Sequence, residues 1–132
     1  MGYRFLTPEW FDKVAELTEA VGDLEVPKAM QEVVVNLSIQ TAGGEVDLCL
    51  DRGIIRPGHA EQPDVRMQMP QDYAYKILVA GDWSAGMKGY IARKIRLKGD
   101  MRKMIPLQLY KPSGPQTALR EAIQRLTELT QA

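Results

Sequence analysis

From Val33 to Gln40, Val33, Val35, Leu37 and Ile39 alternate with Val34, Asn36, Ser38 and Gln40, a period of two that predicts a half-buried strand. Ala42-Gly43-Gly44 turns the chain. Val46, Leu48 and Leu50 then alternate with Asp47, Cys49 and Asp51, so the pair reads as a hairpin and the sheet as antiparallel. A brief third strand is expected at Ile54-Ile55-Arg56, before Pro57-Gly58 and Pro63 impose a loop. Val65, Met67 and Met69 alternate with Arg66 and Gln68, which predicts another strand.

Helical spacing marks the remaining segments. Thr7-Pro8-Glu9 combines a hydroxyl cap, a proline where no donor is needed and an acid in the first turn. Trp10, Val14, Leu17 and Val21 follow on one face, and Gly22-Asp23 ends the run. Pro70 opens a second helix with Tyr73, Ile77 and Leu78 inward and Gly81 at its end. Trp83 to Ala92 reads as a short helix carrying Met87, Tyr90 and Ile91, followed by a strand around Ile95 and Leu97. Gly99-Asp100 caps a helix bearing Met101, Met104 and Ile105, which Pro106 cuts short. Beyond Lys111 to Pro115, the stripe Leu119, Ala122, Ile123, Leu126 and Leu129 lies opposite Arg120, Glu121, Gln124, Arg125 and Glu128, an amphipathic terminal helix over 113–132.

The length of 132 residues suits a single domain spanning 1–132. Seventeen basic and seventeen acidic residues cancel, so no whole-molecule field draws in nucleic acid. Arg93, Lys94, Arg96 and Lys98, continuing to Arg102 and Lys103, are the one local excess. Alternation with Ile95 and Leu97 reads them first as a solvated face, and transient contact with a lipid headgroup or membrane surface is the alternative. The single cysteine, Cys49, requires no oxidising compartment, and no apolar run approaches the roughly 20 residues that cross a bilayer, so a cytoplasmic protein is expected.

Candidate chemistry is sparse. Gly81 and Gly86 stand at the separation of a phosphate-binding loop, but Met87 occupies the lysine position, so nucleotide binding is not read here. His59 is the only histidine, and zinc prefers several nitrogen or sulfur ligands, so neither a metal site nor another cofactor is expected. No acid and base can be paired from spacing, so no catalytic residue is assigned. Asn36-Leu37-Ser38 matches a glycosylation acceptor but lies inside a strand. Met67, Met69, Met87, Met101 and Met104 fall on successive elements, where flexible thioethers suit either an ordinary core or a surface for variable apolar ligands.

Asp64-Val-Arg-Met-Gln-Met69, Leu78-Val-Ala-Gly81-Asp82, and Ile91-Ala to Ile95-Arg-Leu-Lys-Gly-Asp100, taken in order, resemble the sterol carrier protein type-2 domain. The similarity covers most of the chain. It implies an α+β fold: a curved, mostly antiparallel sheet of about five strands, with helices packed on one face around an apolar tunnel that takes fatty acyl chains or sterols. On that reading Met67, Met69, Ile77, Trp83, Met87, Ile91, Met101, Met104 and Ile105 line the tunnel, while Leu119, Ile123 and Leu126 cover one mouth as a lid or form a homodimer contact. Non-catalytic carriage of lipid is the first expectation. An accessory module presenting substrate to a partner enzyme is the second, and an acyl-transforming enzyme using His59 or Cys49 the third.

Overall fold

The computed structural model describes residues 2–82, 84–103 and 112–128, with the Met101 side chain also left out. Trp83, Met104 and Ile105 therefore lie outside the described residues. In chain order the elements are β1 (Tyr3–Arg4), α1 (Pro8–Val21), α2 (Lys28–Gln31), β2 (Val34–Thr41), β3 (Gly44–Asp51), β4 (Ile54–Pro57) and β5 (Val65–Pro70). There follow α3 (Gln71–Leu78), α4 (Ser84–Ile91), β6 (Arg96–Gly99), a 3-10 turn (Met101–Lys103), α5 (Gly114–Leu126) and β7 (Thr127–Glu128). The fold is α+β, with helices packed on a five-stranded sheet.

The strand order is β4-β3-β2-β5-β6. Three of the pairings are antiparallel, but β5 runs parallel to β2, so the sheet is mixed. The hairpin register explains why: β4 sits at one edge, and the chain must pass back across β3 and β2 before it can add β5. Residues 58–64 make that crossing on the outer face. Asn36, on that face, exchanges two hydrogen bonds with the Ala60 backbone, both at 2.9 Å, and is buried although polar. Its buried amide is satisfied, which makes the burial tolerable.

The inner face follows the period of two. Leu50, Val35 and Val65 form one row, Leu48, Leu37, Met67 and Leu97 the next, and Val46, Ile39 and Met69 a third. α1 presents buried Trp10, Phe11 and Val14 to this layer, and α3 presents Ala74, Ile77 and Leu78. Thr7 caps α1 as expected, its hydroxyl accepting the Trp10 amide at 3.3 Å. Thr127–Glu128, expected within a terminal helix over 113–132, instead leaves it: α5 ends at Leu126, and the two residues pair in parallel with Tyr3–Arg4, a segment with no periodic signal, clipping the two ends of the described chain together.

Asp64 knots the β2, β5 and β6 region. Its carboxylate accepts the Lys103 ammonium at 2.7 Å and the Val34 amide at 2.8 Å, while its backbone carbonyl accepts the Asp100 amide at 2.9 Å. A Cβ at Gly99, where φ is +120°, would run into that same carbonyl, so glycine is required there. The Lys103 hydrogen bond, then that from Val34, holds the Asp64 carboxyl below its usual 3.8. A lowered folded value means this stabilisation is present above pH 3.8 and is lost as the pH falls through the lowered value. Asp64→Asn is expected to cost about 1–2 kcal/mol at neutral pH. In urea unfolding, the gap between wild type and variant should close as the pH drops below 3.8; a gap unchanged at acid pH contradicts this role.

Candidate apolar pocket between the terminal helix and the sheet

α5 is held over the sheet by contacts at both ends. At its start Ser113 and Gln116 form a capping box, with the Ser113 amide donating to Gln116 Oε1 at 3.0 Å. The Ser113 hydroxyl also donates to the Leu24 carbonyl. At its end the Trp10 indole N–H donates to Thr127 Oγ1 at 2.8 Å. Between these fastenings Leu119 and Ile123 turn inward and are buried.

They do not fill the space they cover. A cavity of about 90 Å³ remains between α5, α3 and the β3–β4 edge of the sheet. Its apolar wall includes Leu50 and Ile55 from β3 and β4, Leu24 and Met30 from the segment between α1 and β2, and Ile77 and Leu78 from α3. The rim is polar: Gln116, Thr117 and Arg120 stand where the helix meets the opening.

Arg120 is the only cation on that rim among the described residues. Its Nη1 donates to the Val79 carbonyl at 3.0 Å and to Gln124 Oε1 at 3.1 Å. Among the described residues these are its only partners, leaving three of the five guanidinium N–H donors, and no carboxylate lies within ion-pair distance. Glycine at position 81 lets the guanidinium approach, since a Cβ there would stand 2.7 Å from Arg120 Nε.

Of the residues expected to meet a ligand, Ile77, Leu119 and Ile123 come together in this pocket. Met69 is wholly buried beside Ile39, and Met67 is half-buried against Leu37 and Leu97, one row away on the sheet. Leu126 is half-buried against the core. Met87 and Ile91 are 45 % and 73 % exposed on α4. Leu24, Met30, Leu50, Ile55, Leu78 and Arg120 belong to the pocket without having been singled out from sequence. Leu50 could have been found by parity, because it alternates with Leu48 and Val46 on the inner face; Met30 sits on α2, a helix too short to show a period.

The two residues that suggested nucleophilic chemistry lie elsewhere. Cys49 is buried on the outer face under residues 58–64, and desolvation, with Asp51 adding, pushes its thiol above the usual 9.0. That environment suppresses the thiolate. His59 Nε2 lies 2.9 Å from the Leu37 carbonyl and 3.6 Å from Asp47 Oδ1. No cluster of metal-ligating side chains occurs among the described residues.

A mixed five-stranded sheet with helices packed against it and a small pocket under the terminal helix defines the protein as an α+β domain. No family model matches the sequence, and no curated protein matches it. Solved structures do. The apo form of sterol carrier protein 2 from Yarrowia lipolytica is 14 % identical, matches over 88 % of this chain and 98 % of its own, and gives a TM-score of 0.56. Sterol carrier protein 2 from Aedes aegypti in complex with palmitate is 17 % identical over 80 % of this chain and 93 % of its own, with a TM-score of 0.51. A ubiquinone synthesis protein, UbiJ-SCP2, is 11 % identical over 87 % and 95 %, with a TM-score of 0.50. The chain therefore has the sterol carrier protein type-2 fold. No helix among the described residues is long and apolar enough to cross a membrane.

Proposed function

We propose that the protein binds and carries a single-chain lipid, a fatty acid or related acyl compound, in the space beneath α5. The apolar pocket with one guanidinium on its rim, paired with no carboxylate among the described residues, carries this reading. The methylene chain supplies the binding energy, about 0.8 kcal/mol for each CH₂ removed from water. Arg120 supplies orientation, because its free donors suit a carboxylate better than a sterol hydroxyl.

The cavity is too small for a long chain as it stands. At about 90 Å³ it falls below the roughly 150 Å³ that accepts a benzene molecule in an engineered core. A sixteen-carbon chain enters only if α5 moves outward and its stripe gives way. Ligand methylenes would then take over the contacts that Leu119 and Ile123 release. α5 then acts as the lid, tied at Leu24 and Thr127 and braced between them by the Arg120 bond to the Val79 carbonyl, which outward movement must release. Carriage requires no covalent step, and the fold's occurrence in the palmitate complex from Aedes aegypti supports the same ligand class.

The second reading, a module that presents an acyl substrate to a partner enzyme, draws on the fold of the ubiquinone synthesis protein. Both readings require lipid in the pocket. Native mass spectrometry after gentle purification should show a bound acyl lipid, and a fluorescent fatty acid should shift its emission on mixing. Ligand-free protein that also leaves the probe unshifted rules out both.

A further inference from the structure

α4 is built the opposite way round from an ordinary surface helix. Its inward positions are small: Ala85 and Gly89 are buried, and a Cβ at Gly89 would stand 2.6 Å from Ile95 Cδ1 and 3.0 Å from Tyr73 Cδ1. The large apolar residues point out. Met87, Tyr90 and Ile91, spaced i, i+3 and i+4, form one stripe that is 45 %, 50 % and 73 % exposed. Only one other large hydrophobic residue, Val21, is exposed among the described residues, so this stripe is where the surface departs from soluble behaviour.

The charge around the stripe is equally one-sided. Ser84 to Gly99 contains Lys88, Arg93, Lys94, Arg96 and Lys98 and no acid. None of the five makes an ion pair among the described residues, whereas the next two cations are engaged, Arg102 with Asp100 and Lys103 with Asp64. Arg66 joins the group, because it sits opposite Lys98 in the β5–β6 register. β6 is the edge strand among the described residues, and Arg96 and Lys98, alternating with inward Leu97, stand along that edge beyond the turn at 92–95. The nearest acid before the helix, Asp82, is occupied by the Ser84 hydroxyl at 2.5 Å.

We propose that α4 and the following basic turn form a docking surface for an anionic lipid bilayer. Met87, Tyr90 and Ile91 enter the headgroup layer, and the cations from Lys88 to Lys98 face its phosphates. Exposed apolar side chains flanked by lysine and arginine are the composition that interfacial helices use. A second protein copy would have to bring a matching acidic face, and a patch meeting its own copy would set like charges against each other. α4 also packs against α3, one wall of the pocket, so docking here places the lipid pocket near its source. That consequence rests on the lipid-binding reading; the docking itself does not.

Co-sedimentation with vesicles tests it. The full chain should bind vesicles of equal parts phosphatidylcholine and phosphatidylglycerol, leave phosphatidylcholine vesicles unbound, and release in high salt. Near an anionic surface each lysine contributes about fivefold, so Lys94→Gln with Lys98→Gln should weaken partitioning about 25-fold. Ile91→Ser should weaken it about tenfold. All three side chains are exposed at these sites or beside them, and unchanged thermal melts verify that the variants fold. Absence of binding by the wild type, equal binding to both vesicle types, or full binding by either variant overturns the proposal. So does a concentration-dependent dimer that Ile91→Ser dissolves, which assigns the stripe to a second copy. Fatty-acid probe binding measured without vesicles reports on the pocket alone, so failure of docking and failure of lipid binding are read separately.

Discussion

Trp10→Ala should destabilise the protein by about 3–5 kcal/mol and lower its melting temperature by roughly 10–20 °C. Trp10 is fully buried and stands edge-on to both Phe5 and Phe11, with ring centroids 5.1 Å apart in each case. Truncation leaves a large void among side chains that are themselves held by neighbours, so the site collapses poorly. It also removes the donor that fastens the end of α5 at Thr127. Trp10→Phe separates the two effects. It keeps most of the apolar volume, loses the hydrogen bond, and should cost about 1–2 kcal/mol. Because this bond ties down the proposed lid, Trp10→Phe should also admit a fatty-acid probe faster than wild type. Chemical denaturation and stopped-flow fluorescence measure the two quantities. A loss below about 1 kcal/mol for Trp10→Ala would mean that α1 is not docked as described.

Arg120→Glu should weaken binding of a carboxylate probe by about a hundredfold or more. A charge-assisted hydrogen bond contributes about 1.5–3 kcal/mol, or roughly 10- to 150-fold, and reversal adds repulsion to that loss. Arg120→Gln should show the first part alone. The decisive comparison is between a fatty acid and its methyl ester, which share a chain and differ in charge. With Arg120 as anchor, Arg120→Gln weakens the acid and leaves the ester within about twofold. An equal fall for both would show that the guanidinium matters only through its bond to the Val79 carbonyl, as a brace for α5. Stability of both variants in urea distinguishes that outcome from unfolding.

Local pattern carried much of this fold. The alternation through Val35, Leu37 and Ile39 placed β2 and its buried face, and Thr7-Pro8 placed the start of α1, because capping and pleat are properties of a few adjacent residues. The sterol carrier protein type-2 likeness, resting on weak motifs in order, agrees with the fold. The same local signals said nothing about the parallel pairing of β5 with β2, or about the Tyr3–Arg4 and Thr127–Glu128 clip. Asn36 and Cys49 fall opposite the apolar side of the alternation, yet both are buried, because residues 58–64 cover them.

The pocket shows the same division. Leu119 and Ile123 were visible as an inward stripe, but Arg120 lies on the polar side of that helix and became a rim residue only because Val79 and Gly81 stand beside it. On α4, helical spacing grouped Met87 with Ile91 correctly, yet it could not decide which way the group faces. Gly89 decides that: without a side chain it lets Ile95 and Tyr73 close in, and the opposite stripe is left in water. The amino-acid sequence by itself determined which elements form and which residues share a face. Tertiary structure alone decided what each face meets, because that depends on contacts between segments far apart in the chain, whose geometry no local periodicity encodes.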